Sequence, residues 1–121
     1  RDFNYVSDIV RGFILAAISD RGVGHIINLG SNFEISIEET MQLISEIMNV
    51  EIEAKQEDQR VRPESSEVER LWACNLKAKE ILDWAPVYGE REGFKKGLEE
   101  TVAWFADANN LKLYKSNIYN I

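Results

Sequence analysis

The sequence predicts an α/β domain in which several amphipathic helices pack with a few short strands. Three observations carry that expectation. Apolar residues recur at three- and four-residue spacing in separate segments, short β-branched runs lie between them, and turn residues punctuate the boundaries. The length, 121 residues, suits one domain near the commonest size, with 45% hydrophobic and 29% charged residues as in a soluble globular protein. Such a chain buries roughly two-thirds of its unfolded surface, so one core is expected.

The opening RDFNYVSDIVRGF alternates Phe3 and Tyr5 against Asn4, a short strand pattern. It has the look of a strand-to-helix junction from the middle of a longer chain. Asp8 stands where an N-cap belongs, and Ile9, Val10, Phe13, Ile14, Ala17 and Ile18 give a helix over about 9–19 with one apolar face. SDRGVG stops it. His25-Ile26-Ile27-Asn28-Leu29-Gly30 then reads as a buried strand. Ser36-Ile37-Glu38-Glu39 forms a capping box, in which the serine oxygen and the glutamate three residues on each satisfy a free amide. The helix it opens turns Ile37, Met41, Ile44, Ile47 and Met48 inward and ends near Asn49. Val50 to Lys55 is a second weak strand pattern, followed by the polar segment QEDQRVRPESSEVER.

Asn75 is placed to cap a short helix through Lys77, Ala78, Ile81 and Leu82. Pro86 ends it by Trp84, since the residue before a proline is pushed out of helical geometry. From Gly93, the positions Phe94, Leu98, Val102, Phe105 and Ala106 mark a final amphipathic helix. The tail 109–121 has no clear period and is left unassigned.

Charge narrows the function classes. With 21 acidic against 14 basic residues the net charge is −7, a field that repels a polyanion, so nucleic acid is not an expected partner. No apolar run approaches the roughly 20 residues that span a bilayer, so no membrane association is expected. The one cysteine, Cys74, cannot close an intrachain disulfide, which fits a reducing cytoplasm.

Several chemistries lack their residues. Gly22-Val23-Gly24 precedes a strand pattern instead of joining strand to helix, and it lacks the third glycine of a dinucleotide fingerprint. His25 and Cys74 are single occurrences without metal-ligand spacing, so no metal site is expected. The pairs Glu38-Glu39, Glu90/Glu92 and Glu99-Glu100 read as solvated surface, and Trp72, Trp84 and Trp104 as core or edge contacts. The arginines remain, at 1, 11, 21, 60, 62, 70 and 91. Arg1 opens the first strand pattern, and Arg60 and Arg62 flank Val61, with Pro63 holding Arg62 extended. A guanidinium fork matches phosphate oxygens two at a time, so arginines on separate segments suit a diphosphate clamp, although ordinary surface arginines give the same pattern.

Four ordered motifs also resemble a family. RDFNYVSD is similar to the R-D-F/Y/W-x-Y/H-V-x-D segment of the extended short-chain dehydrogenase/reductases, the nucleotide-sugar epimerases and dehydratases. NLGSNFEISIEE resembles their N-x-G-S/T stretch, RPESSEVERLWACNLKAKEILDWAP their R-P and K-A-x-x-x-L-G-W-x-P stretch, and 94–104 their closing helix. Asn75, Lys77 and Asp83 depart from the usual aspartate, serine and glycine, all near helix caps, where stability is affected more than ligand choice.

The resemblance implies that residues 1–121 are the C-terminal, substrate-binding portion of a longer enzyme, with the Rossmann half absent. It implies that Arg1 and Arg62 bind the diphosphate of a nucleoside-diphosphate sugar, with Arg60 a helper. No catalytic residue is expected here. NAD and the Tyr-x-x-x-Lys pair belong to the missing N-terminal half, so the fragment alone should hold no cofactor and be inactive, and the parent should be a cytoplasmic homodimer. In such enzymes hydride leaves sugar C4 for NAD. A dehydratase then eliminates water across C5 and C6 and returns the hydride at C6, whereas a 4-epimerase returns it to C4 from the other face. R-P-E-S-S-E-V-E-R-L is most similar to bacterial 4,6-dehydratases acting on nucleotide-linked N-acetylglucosamine. The alternatives are a 4-epimerase and, in another class, an acidic protein-interaction domain using the 72–84 region.

Overall fold

The computed structural model describes residues 1–54 and 68–112. The helices are α1 (Val6–Ile18), α2 (Ile37–Met48), α3 (Leu76–Leu82), α4 (Glu90–Ala106) and α5 (Ala108–Leu111), with a 3-10 turn at Asp20–Gly22. α2 lies against α4, while α3 packs on α1 and the 3-10 turn. α4 starts at Glu90, a little before the expected Gly93, and α5 falls in the tail left unassigned.

The capping box forms as the sequence predicts. Ser36 Oγ accepts from the Glu39 amide at 3.0 Å, and Glu39 Oε2 accepts from the Ser36 amide at 3.1 Å. Asn49 then closes α2 in the left-handed region with φ 51°. The other two caps are corrected. Tyr5, not Asp8, holds the N-cap position of α1, and Asp8 lies inside the first turn with its carboxylate turned into the protein. Asn75 occupies its cap position, but its side-chain amide donates to the Gly30 carbonyl at 2.9 Å.

The few short strands are not found among the described residues. A strand exists only by pairing, and among the described residues these segments have no ladder. Arg1 and Ile35 exchange two backbone hydrogen bonds, at 2.6 and 2.9 Å, which makes a single rung. Residues 25–29 are free of helix, but the amides of Ile26 through Leu29 have no backbone partner among the described residues.

Two apolar clusters replace the expected single core. Ile35, Leu43 and Phe94 are buried together with Phe33 and Leu98 against them; Ala78, Leu82 and Trp84 are buried with Leu15, Ile27, Leu29 and Ile81. Stacking of Phe3 on Phe94, centroids 5.6 Å apart, holds the opening segment on the first cluster. Full burial of a side chain such as Phe94 stabilises by about 1.5–3 kcal/mol. Trp84 is the core tryptophan; Trp72 and Trp104 are about half exposed.

Polar staples tie the parts together. Asp8 is 2% exposed, and its two carboxylate oxygens accept the Val87 and Tyr88 amides at 2.9 and 2.8 Å. Arg11 donates to Asp8 at 3.1 Å, and the Asp8 carbonyl accepts from the Trp84 indole at 3.0 Å. One residue thus fixes the start of α1 to the link between α3 and α4.

Candidate functional site

Arg1 is positioned by its neighbour. Asp2 Oδ1 accepts from the amide and hydroxyl of Ser31 at 2.9 and 2.6 Å, and Asp2 Oδ2 accepts from the Ala73 amide at 3.0 Å. Gly30 allows this junction, because a Cβ there would sit 2.8 Å from the Ala73 carbonyl oxygen and 2.4 Å from its Cβ. Three family-like motifs, at 1–8, 28–39 and 62–86, therefore meet around one carboxylate. Sequence reading passed over Asp2, although it is the second letter of the first motif.

Beside that junction a groove of ≈ 260 Å³ is walled by Arg1, Glu34, Ser36, Glu39, Glu69 and Arg70. Arg1 donates from Nη1 to the Val68 carbonyl at 2.5 Å. Arg70 grips Glu34 with two nitrogens, Nε to Oε2 at 3.1 Å and Nη2 to Oε1. Those bonds hold the Glu34 carboxyl below the usual carboxylate range and push the Arg70 guanidinium higher. Glu39 is likewise lowered, first by the Ser36 amide, then by the Ser36 hydroxyl, with Arg91 at 3.8 Å adding to it.

Of the arginines selected from sequence, Arg1 reaches this groove; Arg60 and Arg62 lie outside the described residues. Arg70 is the addition. Its signal in the sequence was its place in the same stretch as Arg62, which went unused. Among the described residues the groove has two arginines against three glutamates, so an anion there needs a guanidinium from its own fork geometry more than from the general field.

A second cluster centres on Glu100, which the sequence reads as solvated surface. Tyr5 and Tyr88 both donate to Glu100, at 2.9 and 2.7 Å, with ring centroids 4.2 Å apart. The Glu100 bond pushes the Tyr88 phenol up to about 12, and Tyr5 moves the same way for the same reason. The two hydrogen bonds on Glu100 brace the opening segment and the residues before α4 against that helix.

Gly22-Val23-Gly24 ends the 3-10 turn and runs into extended chain, with open space around Gly24. A pyrophosphate cradle needs a glycine turn opening a helix, so this stretch does not fit NAD. No group of three histidine, cysteine or acidic side chains able to hold a metal occurs among the described residues. No helix among them is long and apolar enough to cross a membrane.

The family model for GDP-mannose 4,6 dehydratase matches residues 1–97. Over 117 residues the chain is 34% identical to a UDP-glucuronate 4-epimerase of Thermodesulfobacterium geofontis, covering 96% of this chain and 32% of that protein. It is 34% identical over 118 residues to a UDP-N-acetyl-alpha-D-glucosaminuronate decarboxylase of Bacillus cytotoxicus, covering 91% and 33%. A UDP-glucuronic acid decarboxylase 1 of Danio rerio is 32% identical over 105 residues, covering 82% and 22%. No solved structure matches the chain. The chain spans a third or less of the length of these relatives. Its ordered motifs, the junction they build around Asp2 and these matches agree: the chain belongs to the extended short-chain dehydrogenase/reductase family of nucleotide-sugar epimerases and dehydratases.

Proposed function

We propose that this chain is the C-terminal substrate-binding portion of an NAD-dependent enzyme that remodels a nucleoside-diphosphate sugar. Arg1 and Arg62 clamp the diphosphate, with Arg60 as a helper. The observation that supports this most is the fixing of Arg1: Asp2 and the Ile35 exchange hold it at the groove wall, beside Val68 and a short way in sequence from Arg62.

Each guanidinium offers parallel N–H donors to phosphate oxygens, and the binding energy of that remote end orients the sugar ring. The redox chemistry belongs to the cofactor-holding portion of the enzyme. For the reaction we favour 4,6-dehydration of a nucleotide-linked N-acetylglucosamine or related hexose, on the likeness of the 62–71 stretch to such dehydratases. Epimerisation at C4 is the second reading, favoured by the 4-epimerase relative. The relatives' UDP-sugar names also favour uridine as the base.

Calorimetric titration of the enzyme carrying this chain with UDP, GDP and dTDP tests the clamp. Arg1→Ala and Arg62→Ala should each weaken binding of the preferred diphosphate about 10- to 100-fold, the loss of a charged hydrogen bond to phosphate. Unchanged affinity in both variants would remove the clamp. Mass analysis of the product then separates the reactions: a product lighter by one water is dehydration, and one of unchanged mass is epimerisation.

A further inference from the structure

Arg70 enters the groove with its fork already closed on an anion. Its Nε donates to Glu34 Oε2 at 3.1 Å and its Nη2 to Glu34 Oε1, so one edge of the guanidinium grips both carboxylate oxygens. A guanidinium edge holds two phosphate oxygens in the same way. Both members of the pair line the groove that Arg1 walls. Arg1 is tied to the same stretch, because its Nη1 donates to the Val68 carbonyl, two residues before Arg70.

The pair is also placed where it can open. The Arg70 side chain is 79% exposed and that of Glu34 33%, and an ion pair so open to water adds little to stability. Neither residue belongs to a helix, so no helical turn fixes either backbone. Glu39, another carboxylate of the groove, is committed instead to the α2 cap, where it accepts from the Ser36 amide and hydroxyl at 3.1 and 2.9 Å. As long as Glu34 cancels its charge at contact distance, Arg70 attracts a second anion only weakly.

We propose that Glu34 is an internal counter-ion standing in the place of a phosphate group, and that Arg70 exchanges it for a phosphate when a nucleoside diphosphate enters the groove. Two hydrogen bonds to a carboxylate are replaced by two to phosphate, and Glu34 turns to water. Arg70 then becomes a further arm beside Arg1. Because the ligand has to displace Glu34, that residue lowers affinity and eases release. This rests on the diphosphate reading of the groove and adds to it a residue that opposes binding.

Calorimetric titration with UDP of the enzyme carrying this chain, unmodified and as Glu34→Gln, Arg70→Ala and the double variant, tests it. Glu34→Gln should tighten UDP binding about 5-fold, the effect of removing an exposed competing pair. Arg70→Ala should weaken it about 10-fold, as for a lost hydrogen bond from a charged group. In the Arg70→Ala background, Glu34→Gln should change affinity by less than about twofold, since the two residues act as one unit. A gain of equal size in both backgrounds would overturn the proposal by making Glu34 a plain repelling charge. Weaker binding in Glu34→Gln would overturn it too, because Glu34 would then hold Arg70 in place for the ligand. The titration of Arg1→Ala separates this from the clamp. Binding weakened by Arg1→Ala but unmoved by changes at 34 and 70 removes the exchange alone, whereas affinity unmoved by all of these variants removes both.

Discussion

Individual side chains carry much of this architecture, and two of them have effects that can be measured in isolation. Asp83 closes α3 in the left-handed region with φ 53°, at the position where the family motif has glycine. An L-residue there pays a steric penalty of about 1 kcal/mol or more, partly offset because glycine loosens the unfolded chain. Asp83→Gly should therefore stabilise the chain by about 0.5–1 kcal/mol, read as a higher melting temperature; a lower one would mean that the aspartate side chain compensates for its backbone. Glu100 offers the second case. Its carboxyl is held below the ordinary range by Tyr88 first and Tyr5 second, and Tyr88 is raised from 10.0 to about 12. The carboxylate's contribution is present above the ordinary glutamate range and lost as pH falls through its lowered value. The phenol's contribution is complete below pH 10.0 and lost as pH rises through about 12. Glu100→Gln should bring the Tyr88 phenolate transition, followed by ultraviolet absorbance, back towards 10.0. A transition that stays near 12 would remove Glu100 as the cause.

At the scale of elements, what could be read from the chain depended on whether the signal was local. The α2 start was legible because Ser36 and Glu39 satisfy each other within one turn, with no help from elsewhere. Ser36→Ala should cost about 1 kcal/mol, seen as a lower urea midpoint with an unchanged slope; a loss of a few tenths would mean that Glu39 and Thr40 hold the turn alone. The existence of the helices was legible for the same reason, as 3.6-residue periodicity belongs to one segment. Asp8 was misread because a carboxylate near a helix start fits an N-cap equally well, and only the distant amides of Val87 and Tyr88 decide between the two. The strands are not found among the described residues, because a β-branched run states a readiness to pair without saying where the partner is. Ile26 to Leu29 has the composition of a strand and, among the described residues, no edge to join. The site divides in the same way. Arg1 was selected by motif and stands at the groove, whereas Asp2 and Arg70 matter through contacts with Ser31, Ala73 and Glu34 that no local pattern encodes.

For the molecule as a whole, the division into two apolar clusters is the property that most affects its energetics. Ile35, Leu43 and Phe94 bury one set of surfaces, and Ala78, Leu82 and Trp84 another, with no residue common to both. Among the described residues, the polar contacts that tie the surrounding segments together include the carboxylate of Asp8, the Trp84 indole on the Asp8 carbonyl, and the carboxylate of Asp2. Hydrogen-bonded staples fix geometry, but they do not transmit the packing changes that couple neighbours in a continuous core. Small truncations in the two clusters should therefore act independently. Ile35→Val and Leu82→Val should each cost about 1 kcal/mol, and the double variant should equal their sum within about 0.5 kcal/mol, measured by urea unfolding of all four proteins. A coupling beyond that limit would show that the clusters exchange strain through the 84–94 link and form one core in energetic terms. Additivity would instead locate cooperativity in the polar staples, and Asp2, which sets the position of Arg1, would then connect the stability of the chain to the geometry of its binding groove.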